Sequence, residues 1–217
     1  MTSNPTLSSD TESAAEHAYL HTKSSIVRGE LAGGTAISEN VICHELGISR
    51  TPVHEAFLRL AAEELITLES RKGAIVRPIS PSEAEDVVEM REAVESAAAA
   101  RIIRSGFQDD LAPVLAGLLE RQAEYVAAGD VDAFVDADDD FHTAIVVASR
   151  NSIAMHFTRL IRDRQQRLRH QLMRMRSEHL AASLDEHRAL AEALASEDAA
   201  AYAEVLGRHV DRIRGML

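Results

Sequence analysis

The sequence is poor in several kinds of residue, and each shortage excludes a class of protein. Cys43 is the single cysteine among 217 residues, so no intramolecular disulfide can form, and a reducing cytoplasmic location is expected. No apolar run is long enough to cross a membrane, so no membrane partner is expected. Residues 1–16 lack the basic and apolar segments of a signal peptide, and we expect them to form a disordered tail.

Aromatic residues are also scarce, at 4% of the chain with no tryptophan, whereas Ala, Leu, Glu and Arg are abundant and favour helix. The net charge of −12 argues at first against a nucleic-acid partner. However, residues 17–80 hold seven Lys/Arg and seven Asp/Glu, while residues 81–217 hold 16 and 25. The acidic excess therefore lies in the C-terminal part, and an N-terminal DNA-binding domain is compatible with the composition.

The stretch "ELGISRTPVHEAFLRLAAEELI", residues 45–66, has the pattern of a DNA-reading helix. Ser38 is predicted to cap one helix that ends at Gly47, and Ser49 is predicted to cap the next, which runs to about Glu64. Two short helices joined by a tight glycine-containing turn are typical of a helix-turn-helix. In that motif, the first residues of the second helix meet base edges in the major groove. The side chains predicted to contact DNA from this helix are those of Ser49, Arg50, Thr51 and His54.

A basic hairpin is predicted directly after this helix. In "LITLESRKGAIVRPIS", two β-prone runs flank a tip formed by Arg71, Lys72 and Gly73. With a preceding helix over residues 16–29, the pattern predicts a winged helix-turn-helix over residues 17–80 that binds double-stranded DNA. An ordinary helical hairpin with a charged turn is the alternative for the helix pair alone.

Three stretches of the chain resemble the GntR family of bacterial transcription regulators, in its FadR-type branch with a C-terminal FCD effector domain. They are "GISRTPVHEAFLRLAAEELI", "RKGAIVRPIS" and "EMREAVESAAAARI". The resemblance implies a homodimeric repressor, not an enzyme, that binds a palindromic operator. The chain departs from the family pattern at His54 and Asn40, where arginine is usual, and at Glu64, where glycine is usual. The first two departures bear on operator sequence and affinity.

After Pro78, the pattern predicts an antiparallel all-α bundle over residues 81–217. The helices are expected at about 82–105, 107–128, 131–148, 152–178, 183–196 and 198–217. Ser82 with Glu85 and Ser183 with Glu186 have the spacing of capping boxes. The expected fold class is therefore mainly α, with a small β-hairpin wing near the N-terminus.

Four polar residues interrupt the apolar stripes of three of these helices. Asp138 and His142 lie one turn apart on the third helix, and His187 and His209 lie in the stripes of the last two. One Asp and three His suit a divalent transition metal, with zinc favoured over nickel or iron. Three separate, hydrogen-bonded core histidines are the alternative. The resemblance favours the metal, because many FCD domains carry an Asp-x3-His motif followed by two C-terminal histidines, and all four positions match here.

Two further histidines, His156 and His179, are second-ranked ligands because they fit the motif less well. Two arginines, Arg91 and Arg164, also lie within apolar stripes, and Glu95 follows Arg91 by one turn. A buried arginine can grip a carboxylate beside a metal, or form an ion pair at the edge of the core. The resemblance implies a small organic acid as effector, with Arg91 near the pocket.

The leading hypothesis is thus a metal-containing, ligand-responsive transcription regulator, in which effector binding changes the spacing of two winged helices. The first alternative is an all-helical metalloenzyme, in which the Asp/His site activates water. The second is a helical interaction module whose winged helix binds protein. No nucleophile or general-base motif supports the metalloenzyme.

Overall fold

A computed structural model of the chain describes residues 13–69 and 73–217. The chain divides into two units, Met1–Pro78 and Ile79–Leu217. Most of the tail predicted for residues 1–16 lies outside the described residues, but helix already begins at Ala14. Arg71 and Lys72, at the predicted tip of the wing, lie outside them as well.

The N-terminal unit contains three helices and three short strands within its described residues. They are α1 (Ala14–Val27), β1 (Ala36–Ile37), α2 (Glu39–Leu46), α3 (Arg50–Ala62), β2 (Ile66–Glu69) and β3 (Gly73–Val76). The Ser38 side chain caps α2 by accepting from the N–H of Asn40, and Gly47 ends α2 in the left-handed conformation. Val53, Phe57 and Leu60 of α3 are fully buried, and α3 therefore faces the core of this unit with its apolar stripe.

The three strands form an antiparallel sheet in the order β1-β3-β2. The two-residue strand β1 was not predicted, because a run of two residues carries no periodic signal. At Gly73, φ is +90° and an added Cβ would lie 2.2 Å from the carbonyl oxygen of Ile37, so this position requires glycine. At Glu64, φ is +60°, a backbone conformation that glycine adopts at less cost.

The C-terminal unit, Ile79–Leu217, consists of helices joined by short connections. Its helices are α4 (Pro81–Ser105), α5 (Gln108–Ala128), α6 (Val131–Ala148), α7 (Ser152–Met175), α8 (Leu180–Ala195) and α9 (Ala199–Arg214), with a 3-10 turn at Ser177–His179. The predicted fold class is confirmed. Among the described residues, no helix combines the length and the apolar character needed to cross a membrane.

The two predicted capping boxes are wrong. The α4 cap is Ser80, whose side chain accepts from the N–H of Glu83, while Glu85 pairs with Arg214. Helix α8 begins three residues before Ser183, which places that serine inside the helix.

Candidate functional site

The four predicted metal ligands converge in the core of the helical unit. Helix α6 supplies Asp138 and His142 one turn apart, α8 supplies His187, and α9 supplies His209. One ligand atom from each residue lies within 4.8 Å of the others, and all four side chains are buried. His156 is exposed and His179 lies in the 3-10 turn, and neither belongs to this cluster.

Packing against aromatic rings positions the imidazoles. Phe141 is fully buried on α6 and stacks on His187, with ring centroids 4.8 Å apart. The same phenyl ring meets His142 edge-on at 5.3 Å. Phe141 belongs to the apolar stripe of α6. The side chains that bury this helix therefore also orient two of the predicted ligands.

Each of the three imidazoles donates its Nδ1 hydrogen to a side-chain oxygen. The pairs are His142 with Glu95 at 2.6 Å, His187 with Gln122 at 2.6 Å, and His209 with Glu186 at 2.9 Å. Carboxylates accept only, and the Gln122 amide nitrogen is committed to the carbonyl oxygen of Ala137, so the hydrogens must lie on the imidazoles. Such oxygens fix the tautomer of metal-binding histidines and leave each Nε2 as a lone pair.

These lone pairs face one another at short range. The Nε2 atoms of His142 and His187 are 3.2 Å apart, and Nε2 of His187 is 3.2 Å from Oδ1 of Asp138. With neutral rings, both contacts join two acceptors with no hydrogen between them. A cation placed among these atoms would convert both repulsive contacts into attractive ones. The donor set therefore fits a divalent transition metal.

The ionisation states agree with this interpretation. Burial lowers the pKa of His187 to about 4, although Asp138 opposes the shift. Burial, together with Arg91, lowers the pKa of His209 well below its usual range. Burial alone would raise the pKa of Asp138, but Arg169 and His187 outweigh it and lower that pKa well below its usual range. At neutral pH, His187 and His209 are thus neutral and Asp138 is charged, which are the states that bind metal.

The structure brings one of the two predicted arginines to the site. Arg91 donates from Nε to Glu95 at 2.8 Å and from Nη2 to Nε2 of His209 at 3.2 Å. Arg164 is placed elsewhere, with Nε donating to Glu83 at 3.1 Å. On the same helix α7, Arg169 takes the place expected for Arg164, and its Nη2 contacts Oδ1 of Asp138.

A cavity opens from the cluster toward α7. Its enclosed volume is about 20 Å³, which is room for about one water molecule, so a larger ligand would have to displace some of the side chains that line it. Arg91, Asp138, His142 and Arg169 line its charged end, and Thr143, Thr158, Gln165 and Gln166 add neutral polar groups.

Sequence reasoning missed Gln122, Glu186 and Arg169. Glu186 was assigned to a helix cap, yet its carboxylate accepts from His209 and Arg212. Gln122 is fully buried on α5, but a single glutamine in an amphipathic helix gives no sequence signal that separates it from a surface residue. Glu186 directly precedes His187, and this neighbour relation is the one signal that could have indicated its role.

In the N-terminal unit, the predicted DNA-contacting residues lie at the start of α3. Ser49, Arg50, Thr51 and His54 are all exposed. Glu39, the first residue of α2, holds two of them: it accepts from Nε of Arg50 and Nδ1 of His54, both at 2.7 Å. Burial alone would raise the pKa of Glu39, but the hydrogen bonds from His54 and Arg50 lower it. Glu39 therefore orients the exposed end of the helix, a role that sequence reasoning missed.

Two family models match the chain. The model described as bacterial regulatory proteins, gntR family, matches residues 14–76, and the FCD domain model matches residues 86–212. An uncharacterized HTH-type transcriptional regulator of the ttuE–ttuC' intergenic region of Agrobacterium vitis is 32% identical over 139 residues, which cover 63% of this chain and 80% of that protein. The gluconate operon transcriptional repressor of Bacillus subtilis is 28% identical over 193 residues, or 87% of this chain and 79% of the repressor.

The fold also has a match among solved structures. McbR/YncC of E. coli superimposes with a TM-score of 0.77 over 92% of this chain and 94% of its own, at 20% identity, which supports the fold alone. The family models together cover both units. The chain therefore belongs to the GntR family of bacterial transcription regulators and carries an FCD domain after its helix-turn-helix.

Proposed function

We propose that this protein is a ligand-responsive repressor whose FCD domain holds one divalent transition metal, zinc in the first place, and a small carboxylate effector. Asp138, His142, His187 and His209 would be the metal ligands. The first unit would bind a palindromic operator as a homodimer, because one recognition helix reads only one half-site.

The observation that carries the metal proposal is the 3.2 Å contact of His142 Nε2 with His187 Nε2, since the Nδ1 atom of each ring is already hydrogen-bonded to an outer side chain. In a cluster of core histidines held together by hydrogen bonds, one ring would donate to the next. Here all three rings donate outward, to Glu95, Gln122 and Glu186, and their lone pairs point inward. This arrangement leaves the inner side of the cluster without a hydrogen donor except Arg91 and Arg169.

The effector would bind in the adjoining cavity. A metal held there would supply a positive, Lewis-acidic centre for a carboxylate oxygen. Arg91, held at one edge by Glu95, is placed to pair with the other oxygen, and the threonine and glutamine side chains of the cavity can bond hydroxyl or carbonyl groups. The cavity walls would thus select a small, polar acid.

DNA binding would be carried by Ser49, Arg50, Thr51, His54 and the wing. Arg50 engages Glu39 through Nε, which leaves its two terminal nitrogens at the exposed end to donate to a guanine. The glycine at position 73 lets β3 pass close to β1 at the base of the wing. The predicted contacts of Arg71 and Lys72 lie outside the described residues.

Metal analysis tests the proposal most directly. Purified protein should contain about one metal per chain, lose it to a chelator, and regain it on re-addition. His187→Ala should lose the metal and lower the melting temperature by about 5–10 °C, with His156→Ala as the control. Gel shifts on the DNA next to the protein's own gene, with and without chelator, test the regulatory role. A parent protein without metal, or a His187→Ala variant that binds it equally well, would show that the cluster is only a group of core histidines.

A further inference from the structure

Arg169 is a buried arginine to which the proposed function gives no role. Its side chain is 4% exposed, and its Nη2 contacts Oδ1 of Asp138. Its Nε and Nη1 atoms are buried, and within residues 13–69 and 73–217 they have no hydrogen-bond partner. A guanidinium has five donors in a rigid fork, and leaving most of them unpaired in the interior is strongly unfavourable. The N–H groups of Nε and Nη1 are therefore available to a ligand.

The position of these donors indicates where such a ligand would bind. Arg169 lines the cavity beside the cluster of Asp138 and the three histidines, with Gln165 and Gln166 on the same helix. Arg91 lines the cavity as well, but its Nε and Nη2 atoms are already engaged by Glu95 and His209. Arg169 is thus the cation of the cavity with the larger unused donor capacity.

Arg169 also contacts the Asp138 oxygen that a metal in the cluster would bind. Oδ1 of Asp138, which Arg169 contacts, is the oxygen that lies 3.2 Å from Nε2 of His187 and 3.9 Å from Nε2 of His142. A metal held by the cluster would bind this same oxygen, so the guanidinium and the metal would compete for its negative charge. Arg169 is thus the side chain whose contact with Asp138 a metal would weaken.

The charged side chains around the cluster also link a metal to an anion. Each of the two arginines contacts one carboxylate: Arg91 donates to Glu95, and Arg169 contacts Asp138. A divalent cation bound at Asp138 would add positive charge beside both arginines. An anion in the cavity would offset that added charge, which favours joint binding of the cation and an acid.

We propose that Arg169 is an exchangeable counter-ion that couples metal binding to effector binding. It holds Asp138 when no metal is present. When a cation takes its place on Oδ1, the Arg169 fork turns into the cavity and pairs with a carboxylate of the effector. This inference rests on the proposed metal site and assigns the effector the class of an organic acid that binds only to the metal-loaded protein. By linkage, the same acid tightens metal binding by an equal factor.

Calorimetry on the full-length parent, Arg169→Gln and Arg162→Gln tests the exchange. Arg162 is the control because it lies on the same helix and pairs with Asp139, the residue after Asp138. Zinc affinity is measured by competition with an indicator, and acetate and succinate are titrated into zinc-loaded and zinc-free protein.

The parent and Arg162→Gln should bind succinate at least about tenfold more tightly with zinc than without. Arg169→Gln should bind zinc as tightly as the parent or more tightly, because the competitor for Asp138 is gone. Its zinc-loaded form should lose at least about tenfold in succinate affinity, because the charge-assisted pair is missing. If Arg169→Gln does not fold, Arg169→Lys should keep the zinc affinity of the parent and still weaken succinate binding, since an ammonium lacks the fork.

The outcomes separate this inference from the proposed function. A parent that takes up no zinc overturns both. A parent that binds zinc through His187, with an Arg169→Gln variant equal to it in succinate affinity, overturns the counter-ion role alone. So does weaker zinc binding in Arg169→Gln, which would show that Arg169 supports the ligands and does not compete for them. A zinc-loaded parent that binds neither acetate nor succinate also overturns the inference.

Discussion

The two units of the chain contain the same three-residue arrangement in opposite surroundings. In the N-terminal unit, Glu39 accepts from Nδ1 of His54 and Nε of Arg50, both at 2.7 Å. In the helical unit, Glu95 accepts from Nδ1 of His142 at 2.6 Å and Nε of Arg91 at 2.8 Å. In both, one carboxylate oxygen serves the imidazole and the other serves the guanidinium.

Burial is the difference between the two arrangements. The side chains of Arg50 and His54 are 74% and 55% exposed, whereas those of Arg91 and His142 are 6% and 7% exposed. In water, the remaining nitrogens of the first arrangement can donate to any partner that approaches, such as a DNA backbone or base edge. In the interior, every remaining nitrogen must be satisfied by a fixed neighbour or by a ligand of matching charge. The comparison shows that burial, more than residue type, decides which of the two arrangements suits a reading surface and which suits a closed ligand site.

The largest expected effect is on stability, from Glu95→Gln. In the variant, Arg91 is buried opposite a neutral amide. The amide has one oxygen, so it cannot accept hydrogen bonds from Arg91 and His142 through two separate atoms as the carboxylate does. We expect the free energy of unfolding to fall by about 3–5 kcal/mol in chelator-treated protein, measured by urea denaturation followed by circular dichroism. Glu89→Gln, an exposed change on the same helix, should stay within about 0.5 kcal/mol of the parent. A loss below about 1 kcal/mol for Glu95→Gln would remove the contrast between the two arrangements.

The next effect is on DNA affinity, from Arg50→Ala. An exposed arginine contributes little to folding, but a bidentate contact to guanine contributes about 1–3 kcal/mol to operator binding and to base preference. Gel shifts on operator and point-substituted operators measure both. Unchanged affinity would mean that Arg50 does not read the operator and that its exposure serves another purpose.

A smaller effect is expected from His54→Arg, which restores the residue usual in the family. A guanidinium adds a permanent charge near the phosphates, so general DNA binding should tighten. Its logarithmic salt dependence should steepen by about 0.9 for one added phosphate contact. Fluorescence anisotropy at several salt concentrations measures the slope. The same affinity and slope in variant and parent would place His54 away from the DNA.

The smallest effect is on stability, from Glu39→Gln, the surface counterpart of the first variant. Because its partners are exposed, we expect a loss of at most about 1 kcal/mol at neutral pH. The pKa of Glu39 is lowered in the folded chain, so its contribution to stability is present above the ordinary glutamate pKa of 4.5 and disappears as pH falls through the lower pKa of the folded chain. The stability difference between parent and variant should therefore shrink on acidification. A difference that grows instead would mean that the Glu39 carboxylate does not stabilise the folded unit.

The sequence predicted the helices of both units well, because glycine, serine and asparagine mark their ends. Gly47, Gly106 and Gly129 cap helices in the left-handed conformation at the predicted positions. The cap of α4 was misplaced by two residues because Ser80 and Ser82 are both good caps. The proline at position 81 favours Ser80, since proline is preferred in the first turn of a helix.

The sequence predicted which four residues cluster in the core, and it did not predict the side chains around them. A histidine within an apolar stripe can be recognised from a single sequence, because the stripe shows that its side chain lies on the buried face of the helix. Which oxygen meets each imidazole depends on how separate helices pack, and that information is tertiary. Helix α7 shows the limit most clearly: its many arginines leave no stripe from which Arg169 could be preferred over Arg164.

The site draws side chains from all six α-helices described between Ile79 and Leu217, and this composition has a kinetic consequence. Arg91 and His209, which are in contact, are separated by 118 positions along the chain. Contacts of such separation form only after the intervening chain has closed, so the site should be absent from the folding transition state. Substitutions among its residues should then accelerate unfolding and leave the folding rate almost unchanged. A bound cation, by the same reasoning, would lengthen the lifetime of the folded chain against proteases without making it fold faster.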